Sequence, residues 1–580
     1  MDDLKLSLNS MEVLKKRYLL KDDNQNIVET PDELFRRVAG NIAKGEKNFK
    51  RGNDAAGVEE SFYGMMKDLE FMPNSPTLMN AGTSLGQLSA CFVLPVGDSI
   101  GDIFTSLGNM AKIHQTGGGT GFDFSHLRPK DDLVSTTKGG ASGPVSFMRI
   151  FDTATGVILQ GGRRRGANMG ILRCDHPDII EFIEAKLDKG AFSNFNLSVG
   201  ITGKFMRAVR TGDDFDLINP RTKRKARKIS ARVVFNLIAL AAWRTGDPGL
   251  IFLDAINAKN PTPGIGAIEA TNPCGELPLL PYESCNLASI NLSKMVRGGN
   301  VDWKKIRSCV RLGIRFLDDV IEVNKFPLTQ IRNITFDNRK IGLGVMGFAD
   351  MLIKLGIPYN SAKAVSFAGG LMRFVRAASV AASVDLARER GVFPNYKRSI
   401  YAKRGLRLRN ATVNTIAPTG TVSIIAECSS GIEPIFAISF IRNILSGAKL
   451  FETNPIFKEM AKGGLRKTKE VPAAFKKIFI TAFDVAPETH LHIQDAFQKH
   501  TDNSVSKTIN LPQGATVEDV KNIYLTAYKL RLKGITVYRY GSKEGQVLSF
   551  NYGARHKLAA GSVVAGSEYS GGCVAGICPF

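Results

Sequence analysis

Apolar residues recur at Leu34, Val38 and Ile42 behind Thr30-Pro31-Asp32-Glu33, a good helix start, and residues 1–70 read as helical and charged. From Phe71 the pattern changes to short apolar runs, frequent glycines and intervening amphipathic stretches. Ser230 is placed to cap a helix carrying Val233, Val234, Leu237, Leu240 and Ala241, which Gly246-Asp247-Pro248-Gly249 stops. Ser361 is placed to cap a long alanine-rich helix that ends at Gly391, with Pro394 beyond. Runs such as Gly249 to Leu253 and Val413 to Ile416 read as strands. Helices alternating with such strands predict an α/β architecture, and no repeat of fixed period is visible. Near the end, Ala559 to Gly572 is rich in Gly, Ser and Ala and reads as a flexible linker leading to Cys573 and Cys578.

Composition changes this picture only in part. The chain has 580 residues, 43% hydrophobic and 23% charged, the balance of a multidomain globular protein with a sizeable core. Lys and Arg outnumber Asp and Glu 77 to 54, a formal charge of +23 that favours an anionic partner: nucleotide, nucleic acid or membrane surface. The run Arg221 to Lys228 invites the nucleic-acid reading, but its place just before a helix cap predicts a solvated loop. No apolar stretch approaches a membrane span, and Met1-Asp2-Asp3-Leu4 lacks a signal-peptide layout. The expected compartment is the cytoplasm, with neither membrane nor nucleic acid as partner. Eight cysteines are too few for a disulfide scaffold, and Cys174, Cys309 and Cys428 read as small apolar fillers.

Gly342-Leu343-Gly344-Val345-Met346-Gly347 matches the dinucleotide-binding glycine pattern. Asp337-Asn338-Arg339-Lys340 before it is a poor central strand, and no acid falls between Asp350 and Asp385 to hold a ribose. A tight strand-to-helix junction is the better reading. Thr271-Asn272-Pro273-Cys274-Gly275-Glu276-Leu277-Pro278 carries more chemistry. Pro273 and Gly275 make it a sharp loop, on which positions 272, 274 and 276 can point to one side. That side would present an amide, a thiol and a carboxylate. Eleven residues after Cys274 comes Cys285, in Cys285-Asn286-Leu287-Ala288-Ser289-Ile290-Asn291-Leu292.

These two segments resemble the active-site loop of ribonucleotide reductase catalytic subunits. The resemblance continues in Phe71-Met72-Pro73-Asn74-Ser75-Pro76-Thr77-Leu78, in Cys91 with Asp98, and in Ala417-Pro418-Thr419-Gly420-Thr421-Val422-Ser423. It extends through Ser430-Gly431-Ile432-Glu433-Pro434 and Ser506-Lys507-Thr508-Ile509-Asn510-Leu511-Pro512, in the family's order over nearly the whole chain. It implies a ten-stranded α/β barrel of two parallel five-stranded halves with a central finger loop. The implied parts are a helical N-terminal region (1–70), a barrel with effector-binding loops (71–549) and a flexible tail with redox cysteines (550–580).

The same resemblance assigns roles. Cys274 at the fingertip would, as a thiyl radical, take the hydrogen from C3′ of a substrate ribose. Glu276 would accept the 3′-hydroxyl proton, and Asn272 would hold the ribose hydroxyls. Cys91 and Cys285 would supply two electrons as the 2′-hydroxyl leaves and end as a disulfide. Thr419, Gly420, Thr421 and Ser423 suit phosphate by chemistry as well as by resemblance, with Ser75, Ala90 and Gly119 as further substrate contacts. Asp98, Arg128, Gln160 and Arg164 correspond to the family's effector site, where a deoxynucleotide or ATP at a homodimer interface selects the base. Cys573 and Cys578 would pass electrons inward from a thioredoxin- or glutaredoxin-like reductant.

Class I relatives receive their radical through a tandem tyrosine pair, which here is broken in Thr536-Val537-Tyr538-Arg539-Tyr540-Gly541. Residues 498–512 also resemble class II, so adenosylcobalamin is the expected cofactor and ribonucleoside diphosphates the favoured substrates. A class I-type large subunit stands as the alternative, and a non-catalytic nucleotide-binding protein as one of another kind. Zinc at Cys573 and Cys578 would lack further local ligands, so no protein-held metal is expected.

Overall fold

Thr30 forms the start that its sequence predicts: its hydroxyl accepts from Glu33 N, while Glu33 accepts from Thr30 N. Such a reciprocal cap stabilises a helix by about 1 kcal/mol. This helix, α2 (Pro31–Ala43), lies with α1 (Leu8–Arg17) and α3 (Ala55–Lys67) in an N-terminal helical region. The computed structural model describes residues 4–49, 54–135, 137–160, 164–188, 190–435, 439–443, 449–453, 456, 477–482, 484–542, 549–550 and 563–565. The cysteines at 573 and 578 lie outside the described residues.

The central sheet is built from β1 (Phe71–Pro73), β2 (Cys91–Pro95), β3 (Gly119–Asp123), β4 (Asn168–Arg173) and β5 (Phe195–Ile201). It continues with β6 (Gly249–Phe252), β7 (Ser284–Asn291), β8 (Ile341–Met346), β9 (Thr508–Leu511) and β10 (Gly534–Arg539). Strands β2 to β6 pair side by side and all in parallel. In the other half β7 pairs in parallel with β8, Leu343 bridges Asn414, Ile416 bridges Val505, and β9 pairs in parallel with β10. Antiparallel contacts join the halves, β2 to β7 on one side and β6 to β10 on the other. With the 414–416 segment counted, the pairing closes a ten-membered ring of two parallel five-stranded halves. Closure leaves no exposed sheet edge, while β1 lies outside the ring on β7.

Every residue of β7 and β8 is buried, β8 being apolar or glycine throughout and β7 carrying buried Ser284, Asn286, Ser289 and Asn291. The glycine run therefore lies within a strand, not in a phosphate loop. A Cβ on Gly344 would meet the Thr415 carbonyl oxygen at 2.5 Å, so the close approach of 414–416 demands glycine there. Gly347, at φ +74°, turns β8 into the helix Phe348–Lys354, the expected strand-to-helix junction. The helices predicted after Ser230 and Ser361 span Ala231–Thr245 and Ala362–Arg390; the Ser361 hydroxyl accepts from Ala364 N as a cap, whereas Ser230 holds the cap position without a side-chain bond. The basic run departs from expectation. Lys225–Ser230 forms an antiparallel hairpin with Asp214–Ile218, so only its first half is a loop. Among the described residues no helix is long and apolar enough to cross a membrane.

Candidate active site

The loop bearing Cys274 is a narrow hairpin in which Ala270–Thr271 pairs antiparallel with Pro278–Leu279. Gly275, at φ +78°, makes the reversal that an L side chain would strain. Asn272 locks the tip: its N donates to Leu277 O (3.2 Å), its O accepts from Gly275 N (3.0 Å), and its Oδ1 accepts from Leu277 N (2.9 Å).

Contacts from both halves place this finger inside the ring. A Cβ on Gly121 of β3 would lie 1.7 Å from Thr271 O, so the finger can pass only over glycine. Asn196 of β5 donates to Pro273 O (2.8 Å). From the opposite half, Thr415 Oγ1 and Ser504 N both donate to Glu276 O, each at 2.8 Å. Asn196, Thr415 and Ser504 fix the finger but carried no local sequence signal.

A cleft of about 730 Å³ opens on one side of the fingertip. Its walls include Asn272, Cys274 and Glu276, so the amide, thiol and carboxylate do share a side as their spacing suggested. Asn272 and Glu276 are buried, and Cys274 is half-buried. Cys91 also lines the cleft, and its sulfur accepts from Asn272 Nδ2 at 3.1 Å. Cys285 sits directly opposite Cys91 in the antiparallel β2–β7 register. Burial pushes the Cys285 thiol well above its ordinary pKa, so it is held protonated. No disulfide joins any of the three.

Ser75, Ala90, Gly119, Thr419, Gly420 and Thr421 line the same cleft. Ser423 does not: it is buried behind the wall, with its Oγ 3.3 Å from Gly420 O and 3.0 Å from Ser430 Oγ. Thr419, at φ +57°, donates no hydroxyl hydrogen to this turn but accepts from Gly431 N (2.7 Å). The N-terminal region adds two residues that the sequence reading missed. Ser10 of α1 donates to Ile424 O (2.8 Å), which docks the helix beside the Thr419–Thr421 turn. Arg17 at its end then reaches Thr421 Oγ1 (3.4 Å), and the Tyr18 hydroxyl lies 2.8 Å from Ser75 Oγ. The run Lys15-Lys16-Arg17 was the available signal for an anion-facing helix end.

A second cavity, of about 800 Å³, reaches Cys274 and Gly275 from between β5, β6, β9 and β10. Its walls are mixed: Gly246, Gly249 and Gly534 leave room, Ser198, Ser506 and Thr508 are polar, and Met169, Leu250, Ile251, Val505 and Val537 are apolar. Lys507 lies in that wall, fully buried and paired with Glu433, whose other oxygen accepts from Thr508 N (3.0 Å). Elsewhere Arg128 Nε donates to Asp98 Oδ2 (2.9 Å) and its backbone N to Asp98 Oδ1 (2.8 Å), bringing two of the effector candidates together. Gln160 and Arg164 are register partners in a short hairpin, and residues 161–163 between them lie outside the described residues. Cys174 and Cys309 are buried in the core, whereas Cys428 is only half-buried.

A closed barrel with a thiol on an internal finger, a carboxylate beside it and two thiols facing each other across adjacent strands is an arrangement suited to cysteine redox chemistry in an enclosed cleft. The profile described as "Ribonucleotide reductase, barrel domain" matches residues 89–408 and 404–538, and that described as "Ribonucleotide reductase, all-alpha domain" matches 4–86. The vitamin B12-dependent ribonucleoside-diphosphate reductase of Thermoplasma acidophilum is 51% identical over 94% of this chain and 81% of its own length. The protein so named in Mycobacterium tuberculosis strain H37Rv is 49% identical over 100% of this chain and 83% of its own. The ribonucleoside-diphosphate reductase subunit alpha of Chlamydia muridarum is 27% identical over 92% and 58%. The chain belongs to the ribonucleotide reductase family.

Arg17 then has a testable part. Arg17→Gln is expected to raise KM for the nucleotide about tenfold with little change in kcat, the scale of one exposed charge-assisted hydrogen bond to phosphate. Steady-state kinetics check this; an unchanged KM would leave Arg17 as a docking residue for α1 alone.

Proposed function

We propose that this protein reduces ribonucleoside diphosphates to 2′-deoxyribonucleotides, with adenosylcobalamin as cofactor and Cys274 as the residue that carries the radical to the substrate. The observation that carries this reading is the position of Cys274, reached by a cleft on one side and by a separate cavity on the other. The mixed walls of the second cavity, apolar at Leu250, Ile251 and Val537 and polar at Ser198 and Ser506, fit the base and ribose of the cofactor's adenosyl group, and Gly246, Gly249, Ser198 and Ser506 are the residues that would border it. When bound, the cofactor supplies the radical that takes the hydrogen atom from the thiol.

The residues facing the cleft, with Cys285 and Arg17 behind its wall, do the rest. Cys274 takes hydrogen from C3′ and returns it at the end of the turnover. Glu276 accepts the 3′-hydroxyl proton; its burial keeps that proton from exchanging with water. Asn272 serves twice, anchoring the fingertip and donating to Cys91. Cys285, held as a neutral thiol, retains the proton that departure of the 2′-hydroxyl as water requires. Together Cys91 and Cys285 give two electrons and two protons and become a disulfide. Thr419 to Thr421 and Ser75 take the phosphates, aided by Arg17.

Residues 1–70, 71–549 and 550–580 act as helical region, barrel and redox tail in this proposal. Asp98, Arg128, Gln160 and Arg164 bind an effector nucleotide that selects the base. The protein works as a cytoplasmic homodimer, a reading supported by exposed Ile100, Phe104, Ile150 and Val157 on two adjacent helices that follow Asp98. Cys573 and Cys578 relay electrons from a thioredoxin-type protein. One assay tests these points: purified protein alone, with and without adenosylcobalamin, a second nucleotide, and a protein or small dithiol as reductant. Turnover is expected without any second subunit, dependent on adenosylcobalamin, with base preference shifted by the second nucleotide. Activity only on adding a metal-loaded partner subunit would overturn the cofactor assignment, equal rates for every base the effector one, and an inert protein reductant the relay. Sedimentation as a monomer would overturn the dimer.

A further inference from the structure

Away from both cavities at Cys274, three ligating side chains converge at the carboxyl end of β3. Asp123 ends β3, His126 follows three residues later, and Glu269 immediately precedes the finger hairpin. His126 Nε2 lies 2.9 Å from Glu269 Oε2 and 3.6 Å from Asp123 Oδ2. The Asp123 side chain is only 7% exposed. Its Oδ1 accepts from Ser125 N (3.0 Å) and Ser125 Oγ (2.5 Å), and Ser125 Oγ in turn accepts from Arg173 N (2.8 Å). That clamp turns Oδ2 towards His126, where it is buried and has no hydrogen-bond partner. A buried carboxylate oxygen without a donor is costly unless a cation meets it.

We propose that Asp123, His126 and Glu269 form a binding site for a divalent transition-metal cation of the Mn²⁺ type. Nitrogen and oxygen ligands about 2.1 Å from a shared cation lie roughly 3.0–3.4 Å apart in octahedral or tetrahedral arrangements. The two separations from His126, 2.9 and 3.6 Å, bracket that range, and the third, between the carboxylates, is within 4.8 Å. One imidazole with two carboxylates suits Mn²⁺, Fe²⁺ or Zn²⁺ and no soft monovalent ion. Of the nearby cations, Arg173 is committed to Asp175 at 2.8 Å, and Lys223 sits on the exposed basic loop. A cavity of about 740 Å³, walled otherwise by apolar residues such as Val93, Leu94, Val96 and Leu279, opens onto Asp123, His126 and Glu269 and gives the ion an entry path. The cation ties β3 and the segment leading to Arg128 to the foot of the hairpin that carries Cys274. The site stands on its own geometry and does not depend on the reaction proposed above.

The test is a titration of the full chain with Mn²⁺, free of nucleotide, following the paramagnetic resonance signal of unbound Mn²⁺. Zn²⁺ is avoided as the probe because the cysteine thiols would also take it. One Mn²⁺ per chain is expected. Asp123→Asn and His126→Ala should each weaken binding by about 100-fold or more, since even outer partners of a metal site are worth 10–100-fold. His126 is half exposed, so its removal leaves the fold intact and keeps the test decisive should Asp123→Asn fail to fold. Mn²⁺ should also raise the melting temperature of the parent and not that of His126→Ala. Absence of binding at millimolar Mn²⁺, or stoichiometric binding unchanged in His126→Ala, overturns the proposal.

Discussion

Cys274→Ser is expected to abolish deoxyribonucleotide formation while leaving nucleotide binding intact. The finger is shaped by Gly275 and by hydrogen bonds to Asn272, Pro273, Glu276 and Leu277, so a serine at the tip does not remove its supports. What changes is the bond to be broken. An alcohol O–H is much stronger than a thiol S–H, and no radical forms on serine that can take hydrogen from C3′. The loss therefore exceeds that from removing a general base, which for Glu276→Gln is roughly 10²–10⁴-fold with the thiol still in place. Product assay and equilibrium nucleotide binding on the same preparation check the result. Turnover within about a hundredfold of the parent, under 3 kcal/mol of barrier, would sink the assignment of Cys274.

Much of this finger was legible because its shape is dictated locally. Proline and glycine around Cys274 allow little but a sharp loop, and alternation then puts residues 272, 274 and 276 on one side. The helices after Thr30, Ser230 and Ser361 were legible for the same reason: a start residue with a periodic face at Thr30 and Ser230, and a stop at Gly246 and Gly391. Closure of the barrel was not. The ring depends on Ile416 meeting Val505 and Leu343 meeting Asn414, partners far apart in sequence, and only the resemblance implied the architecture. The glycine run illustrates the limit: its glycines answer to the Thr415 carbonyl, a neighbour invisible from residues 342–347.

Charge misled where it hid periodicity. Arg221 to Lys228 is basic on both faces, so the alternation that marks a strand is absent, although its partner Asp214–Ile218 alternates buried and exposed positions. Lys15-Lys16-Arg17 marked a basic helix end but not its target, because α1 finds its place only against residues around Ile424, and Tyr18 carried no signal at all. The cluster of Asp123, His126 and Glu269 likewise joins residues 143 apart across the foot of the finger. Such long-range convergence carries no spacing that a sequence reading can use.

Cys91→Ser and Cys285→Ser are each expected to stop net 2′-reduction even in the first turnover, although Cys274 remains able to take hydrogen from the substrate. The two residues face each other in an antiparallel pair, where Cα atoms lie about 4.5–5.5 Å apart. A disulfide needs Cα atoms roughly 4.4–6.8 Å apart, so this pair can close without moving the strands. With either thiol replaced, one sulfur cannot complete the two-electron step, and the substrate radical is left with no partner disulfide to form. In the parent, a pre-reduced sample quenched after turnover without external reductant should yield a peptide cross-linked between Cys91 and Cys285, together with deoxy product. Each variant should yield neither, while isotope exchange at C3′ continues. Because Cys285 is fully enclosed and held as a thiol, alkylation should reach it slowly in the folded protein, so the cross-link must be read after quenching under denaturing conditions. Deoxy product from either variant at a rate near that of the parent would show that the reducing electrons come from somewhere other than this pair.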